Sequence, residues 1–270
     1  KAGDPEEPTA VMDSNLVPGD IYVVPYNNAP ALEAMFEKNA SKIACFIVEP
    51  VLENLAIILP DAGYLERVRE LCDEYNVILI FDEVKTGLTA GAHGASVRLG
   101  VEPDLITLAK SIGGGVPLAA FGGKKKYMDF VTNGKMAHFG TFNGNPLAMA
   151  GVRAIDRLCS DQALADAEAL NQQALDRISE IIDEYQLPAH TVGFGVKGCV
   201  TWSTTPVRNY RDYKATDFGI AEAHWLFALN RGIITPPGLD EQWLISLAHG
   251  QTEIDLLVED FREFAKALRS

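Results

Sequence analysis

The chain has 270 residues, 47% of them hydrophobic, and carries a formal charge of −14 at pH 7. That length suits one or two domains with a substantial core. No apolar run reaches the roughly 20 residues of a membrane-spanning helix, and the acidic balance argues against non-specific nucleic-acid binding, which neutralises phosphates with Lys and Arg.

Residues 1–20 read as irregular, and the opening Lys1 to Pro8 lacks the apolar stretch of a signal peptide. Leu32, Met35 and Phe36 fit a short helix. A strand is predicted from Ile43 to Val48, closing at Glu49-Pro50. Leu65, Val68, Leu71, Cys72 and Tyr75 recur at helical spacing, so an amphipathic helix is predicted from about Tyr64 to Tyr75. The next strand, Val77 to Phe81, runs into Asp82-Glu83. Strand, helix and strand at this spacing favour parallel pairing.

A third apolar run, Asp104 to Ala109, ends at Lys110 and is followed by Ser111-Ile112-Gly113-Gly114-Gly115. A strand from Leu118 to Phe121 then returns, antiparallel because too few residues intervene for a helical crossover. Thr141 to Pro146 is a polar turn ahead of a helix, suited either to a phosphate or to an ordinary helix cap. Leu147 to Tyr185 reads as two helices broken near Ser160-Asp161. Strands follow at Thr191–Val196, Cys199–Ser203 and Trp243–Ala248, with a helix near Asp217–Asn230. A last helix is predicted from Thr252, where Thr252-x-x-Asp255 has the form of a capping box. The predicted division is 1–150 for a large α/β domain and 151–270 for connecting helices and a smaller α+β domain.

Gly193-x-Gly195-x-x-Gly198 spells a dinucleotide fingerprint. It precedes a strand-like run instead of opening a helix, so turns in a small β layer account for it better. Cys45, Cys72, Cys159 and Cys199 form no CxxC pair, which suits reduced thiols in a cytoplasmic protein. The five histidines show no metal-ligand spacing.

The chemistry concentrates at two strand ends. Asp82 closes one predicted parallel strand and Lys110 the next. In open α/β sheets the ligand crevice lies outside the carboxyl ends of the strands, so both charges belong at one crevice mouth. A fixed amine and a fixed carboxylate there suit carbonyl chemistry, the amine as nucleophile and the acid as partner for a protonated ring.

The wording around them is specific. Val24-Pro25-Tyr26-Asn27-Asn28, Ile47-Val48-Glu49-Pro50, Phe81-Asp82-Glu83-Val84, Thr86-Gly87, Pro103-Asp104-Leu105, Ala109-Lys110-Ser111-Ile112-Gly113-Gly114-Gly115, Gly140-Thr141 and Gly144-Asn145-Pro146-Leu147 occur in order. In this the chain resembles the class III, fold-type I pyridoxal-phosphate aminotransferases, in the branch with glutamate-1-semialdehyde aminomutase and the β-amino-acid aminotransferases. Beyond residue 150 the likeness rests mainly on layout. The resemblance implies a large domain built on a mainly parallel sheet with flanking helices, incomplete here, and pyridoxal 5'-phosphate as cofactor. It makes Lys110 the Schiff-base lysine and Asp82 the acid on the pyridinium nitrogen. By the same resemblance Val84 would pack on the cofactor ring, and Thr141 would reach the phosphate in the neighbouring subunit of a homodimer. It implies an amino donor and a keto acceptor as small-molecule substrates. The aminomutase reaction and an inactive fragment or scaffold are the alternatives. Trp243 to Gly250 favours the aminotransferase, since the aminomutase usually carries an aromatic, acid-containing stretch before this strand.

Glu49 and Asn54 fall near the implied site without assigned roles. Two departures stand out. Lys85 occupies a position where relatives usually carry Gln or Met, and it either brings a second amine near the ring or pairs with a surface acid. Only 23 residues precede Val24, whereas relatives have a much longer segment that includes the turn gripping the phosphate. The expectation is therefore a four-stranded, incomplete sheet and cofactor binding that is weak or absent for these residues alone. Arg208, Arg211 and Arg231 are candidates for a substrate carboxylate by charge alone.

Overall fold

In the computed structural model, residues 21–236 and 242–270 are described. The first sheet holds the four expected strands, β1 (Cys45–Val48), β2 (Ile78–Asp82), β3 (Leu105–Ala109) and β4 (Ala119–Gly123), in that order. β1, β2 and β3 run parallel, and β4 returns antiparallel along β3 with Ala109 opposite Ala119. The expected irregular stretch at 1–20 lies outside the described residues.

One face of this sheet is covered. Helix α1 (Ala29–Asn39) contributes Leu32 and Phe36, and helix α2 (Tyr64–Glu74) contributes Leu65, Val68, Leu71 and Cys72. They bury Leu79 and Phe81 of β2 completely. Period-2 alternation puts Ile80 and Asp82 on the other face. Their register partners include Ile47 and Thr107, and Phe121 lies opposite Thr107. Ile47 is 60% and Phe121 42% exposed, so this face is apolar and open, although parallel sheets are ordinarily covered on both sides.

Asp104 fixes the start of β3. Its carboxylate accepts from the Leu79 N–H at 2.9 Å and pairs with Arg69 and Lys124, each at 3.0 Å. Burial works to raise this carboxyl, but the N–H and the two cations outweigh it and hold it below the ordinary carboxylate range.

Four short helices were not anticipated: α3 (Thr86–Thr89), α4 (Gly94–Leu99), α5 (Lys125–Thr132) and α8 (Tyr210–Lys214). Each is eight residues or fewer, too short for a helical period to stand out in sequence. The break at Ser160-Asp161 is real. Helix α6 (Pro146–Leu158) ends before it, and α7 (Asp161–Glu184) begins after Ser160, whose hydroxyl accepts from the Ala163 N–H. Helix α9 (Phe218–Asn230) is close to its expected bounds.

A second, three-stranded antiparallel sheet is built from β5 (His190–Phe194), β6 (Lys197–Thr201) and β7 (Trp243–Leu244). It packs with α7 and α10 (Gln251–Arg269) around Trp202, Ile178, Ile181, Phe261 and Phe264. The three spelled glycines serve this sheet. Gly195 turns β5 into β6 at φ +60°, and a Cβ on Gly198 would lie 2.5 Å from the Trp243 ring. No helix opens on them, as expected.

Two expectations need correction. The strand predicted over Trp243–Ala248 stops at Leu244, because Ser246 to His249 turns back, with the Ser246 N–H on His249 Nδ1 at 2.9 Å. The predicted cap at Thr252 is also displaced. α10 begins at Gln251, and Glu253 reaches back to the Gly250 N–H at 2.8 Å. Asp255 instead pairs with Arg177 on α7 at 2.6 Å.

Helix α6 locks the turn after β3. A Cβ on Gly151 would lie 2.6 Å from the Gly113 carbonyl oxygen. Gly151→Ala is therefore expected to cost about 1–3 kcal/mol of stability by overpacking. An unchanged midpoint in a urea titration would contradict this close approach.

Candidate active site

Asp82 is the last residue of β2, and Lys110 is the first beyond β3, so neighbouring parallel strands deliver both to the same sheet edge. Asp82 Oδ1 accepts from the Val84 N–H and the Thr107 hydroxyl, both at 3.1 Å. Its second oxygen has no hydrogen-bond partner among the described residues. The carboxylate is thus aimed by one oxygen and available through the other. Val84 is half-buried beside it.

Lys110 is exposed and has φ +54°, in the left-handed region. A non-glycine residue there costs about 1–2 kcal/mol, and such strain persists only where the surroundings impose it. The surroundings are the strand before it and the Lys110–Gly113 3-10 turn after it, the latter held by α6. The strained backbone fixes the direction in which the amine leaves the strand end.

Glu49 follows β1 directly. Its carboxylate accepts from Asn54 Nδ2 at 3.0 Å and from the Glu53 N–H at 3.3 Å. Burial pushes the Glu49 carboxyl above its ordinary value, and the Asp82 charge acts in the same direction, while both hydrogen bonds oppose it. Glu49, Asn54 and Asp82 therefore share one electrostatic neighbourhood at the strand ends.

Lys85 donates to the backbone carbonyl of Glu53. The ammonium faces the loop after β1, and its charge acts on Glu49, Glu53 and Lys197.

Thr141 is exposed in the turn before α6 and makes no hydrogen bond among the described residues. Asn145 Oδ1 accepts from the Ala148 N–H at 2.9 Å, so an ordinary cap serves the helix itself. Around Thr141 the surface is apolar, with Phe139 94% and Phe142 82% exposed. Of the three candidate arginines, Arg208 pairs with Asp61 and Arg231 with the buried Asp260. Their charges are engaged in these ion pairs. Arg211 lies exposed on α8.

Sequence reasoning missed Glu83. It is fully buried and accepts from the Ala95 N–H at 2.6 Å, the Ser96 N–H at 2.9 Å and the Thr86 hydroxyl at 3.2 Å. The carboxylate caps α4 and pins the segment following Asp82. Glu83→Ala leaves these donors buried and unpaired, with an expected loss of about 1–3 kcal/mol. A thermal midpoint equal to wild type would show that water satisfies the donors instead.

No group of residues suited to a metal ion occurs among the described residues. The strand ends instead fit a ring with a protonated nitrogen and a carbonyl. They offer an oriented carboxylate with a free oxygen, an exposed amine on a strained backbone and a glycine turn without side chains.

A mainly parallel sheet with flanking helices is also the fold of solved fold-type I pyridoxal-phosphate transaminases. The β-phenylalanine aminotransferase from Variovorax paradoxus superposes with a TM-score of 0.88 at 28% identity, covering 94% of this chain and 59% of that one. A glutamate-1-semialdehyde aminomutase from Pseudomonas aeruginosa PAO1, in complex with PMP, gives 0.83 at 25% identity, over 94% and 60%. Residues 12–222 match the family described as aminotransferase class-III, and the chain belongs to that family. It is 37% identical over 246 residues to the glutamate-1-semialdehyde 2,1-aminomutase of Thermomicrobium roseum, covering 90% of this chain and 57% of the relative. The chain spans less than two thirds of the length of the curated relatives it matches.

Proposed function

We propose that the protein is a pyridoxal-phosphate-dependent aminotransferase that moves an amino group from an amine or amino acid to a keto acid. The observation that carries this reading is the pairing of a half-satisfied Asp82 carboxylate with a strained, exposed Lys110 at adjacent strand ends. Solved relatives described with PMP or PLP bound support the cofactor. When bound, pyridoxal phosphate would supply an electron sink for a carbanion at the substrate carbon.

The residues divide the remaining work. Lys110 would hold the cofactor through its amine, and the same amine, once freed by the amino substrate, would serve as the acid–base group that moves the substrate proton. Asp82 would hold a proton on the ring nitrogen through its free oxygen, while the Val84 N–H and the Thr107 hydroxyl fix its orientation. Val84 would pack against a ring face. Thr141 would serve the phosphate held by a neighbouring subunit, which makes a homodimer with shared sites part of the proposal. Its exposure beside Phe139 and Phe142 suits a partner there. The four cysteines are free thiols, and no described helix is long and apolar enough to cross a membrane. Both features suit the proposed cytoplasmic location.

The aminomutase reaction is the second reading, favoured by the relative that is 37% identical. Incubation with pyridoxal phosphate, glutamate or alanine as donor and a separate keto acid tests the first. Amino acid formed from the acceptor supports it. Conversion of glutamate-1-semialdehyde without any acceptor transfer assigns the second.

A further inference from the structure

Glu53 lies in the loop between β1 and α2 and is wholly buried. Its N–H, its carbonyl and one carboxylate oxygen are engaged by different parts of the chain. Its N–H donates to Glu49 at the carboxyl end of β1. Its carbonyl accepts from Lys85, next to Val84, and from Gln242 Nε2 at 2.7 Å, next to β7. Its carboxylate Oε2 meets Lys197 Nζ of β6 at 2.5 Å, and Lys197 is only 7% exposed. Oε1 is buried without a hydrogen bond. Lys197 is therefore the one side chain bonded to this carboxylate among the described residues.

A buried ion pair loses hydration on both sides and is rarely a net gain over apolar packing. Here burial pushes the Glu53 carboxyl up and the Lys197 amine down, each opposed by the other's charge. What the pair does provide is location, because it ties the loop carrying Glu49 and Asn54 to the second sheet across 144 positions of sequence. Gln242 adds a bond to the Ala56 carbonyl of the same loop. The β5–β6 turn docks beside it, with the Val196 N–H on the Thr89 carbonyl at 2.9 Å. The second sheet thus grips both segments that flank Asp82.

We propose that Lys197 is a positioning residue for the cofactor site: through its buried pair with Glu53 it holds the loop of residues 49–58 against the strand ends that carry Asp82. This rests on the reading of those strand ends as a pyridoxal-phosphate site. Lys197 acts on the site through Glu53 and takes no part in proton transfer.

The test uses the whole chain, with Lys197→Met, Lys197→Arg and the double variant Glu53→Gln/Lys197→Met. Amide hydrogen exchange of residues 49–58 is read without cofactor, and pyridoxal phosphate affinity is read by absorbance titration. Thermal unfolding is the control. Lys197→Met strands a buried carboxylate, so exchange in the loop should quicken on the order of tenfold or more, with cofactor affinity falling on a similar scale. Lys197→Arg should stay near wild type in both. The double variant removes the unpaired charge and should recover thermal stability, yet keep fast loop exchange and weak cofactor binding. Wild-type exchange at 49–58 in the double variant overturns the proposal, even if Lys197→Met does not fold. So does a loosened loop with undiminished cofactor affinity. A protein that binds no pyridoxal phosphate, but shows the expected exchange pattern, refutes the functional reading while leaving the loop tether standing.

Discussion

Lys110→Ala is expected to abolish amino transfer, with a loss of at least about 10⁴-fold, the upper range for a positioned acid–base group alone. The loss would be this large because the proposed role gives one amine two steps, cofactor attachment and proton movement. The fold should survive, since Lys110 is exposed and its side chain forms no part of the core. Lys110→Gly is the sharper companion. Glycine adopts φ +54° without a Cβ penalty, so this variant should be as inactive as the alanine form and about 1 kcal/mol more stable. A measured gain in stability together with loss of turnover would mark the strained backbone as serving the site. Residual turnover above about 1% of wild type would remove Lys110 from the proton-transfer role.

Asp82→Asn should be the next most damaging change. The amide is isosteric and can still accept from Val84 N–H and the Thr107 hydroxyl. Orientation is kept while the negative charge facing the ring nitrogen is lost. Without that charge the ring nitrogen does not stay protonated, and proton abstraction from the substrate carbon slows by about 10²–10³-fold, the scale of a lost electrostatic stabiliser. Cofactor binding should fall far less than turnover. Near-normal turnover would mean that another group supports the ring nitrogen.

The strands that carry this chemistry were legible because they are apolar runs cut off by a charge. β2 ends at Asp82 and β3 one residue before Lys110, as the sequence implied. Helix α2 announced itself through Leu65, Val68, Leu71 and Cys72, which all proved buried. The Trp243 strand was overestimated because an apolar stretch was read without its partner, and the Ser246–His249 turn ends the pairing. The cap of α10 lies two residues before the expected one, since Glu253 and Asp255 both have the chemistry and tertiary contact with Arg177 separates them.

Glu53 and Lys197 could not have been joined from sequence. Neither stands in a periodic pattern, and their pairing depends on how the second sheet docks. Glu83 was adjacent to a site residue and charged, so its burial as a helix cap needed the position of α4. The direction of Lys85 was likewise open until the loop after β1 was placed. Local signals disclose strand ends, whereas contacts between distant segments decide which charges are held inside.

Three lysines, Lys85, Lys110 and Lys197, therefore stand in or beside the same neighbourhood, and they give the most direct test of the account. The protein is incubated with saturating pyridoxal phosphate, reduced with borohydride and digested, and the phosphopyridoxyl group is located by mass spectrometry. The account predicts the label on Lys110, with Lys85 and Lys197 unmodified. Label on Lys85 or Lys197 with Lys110 free would contradict it.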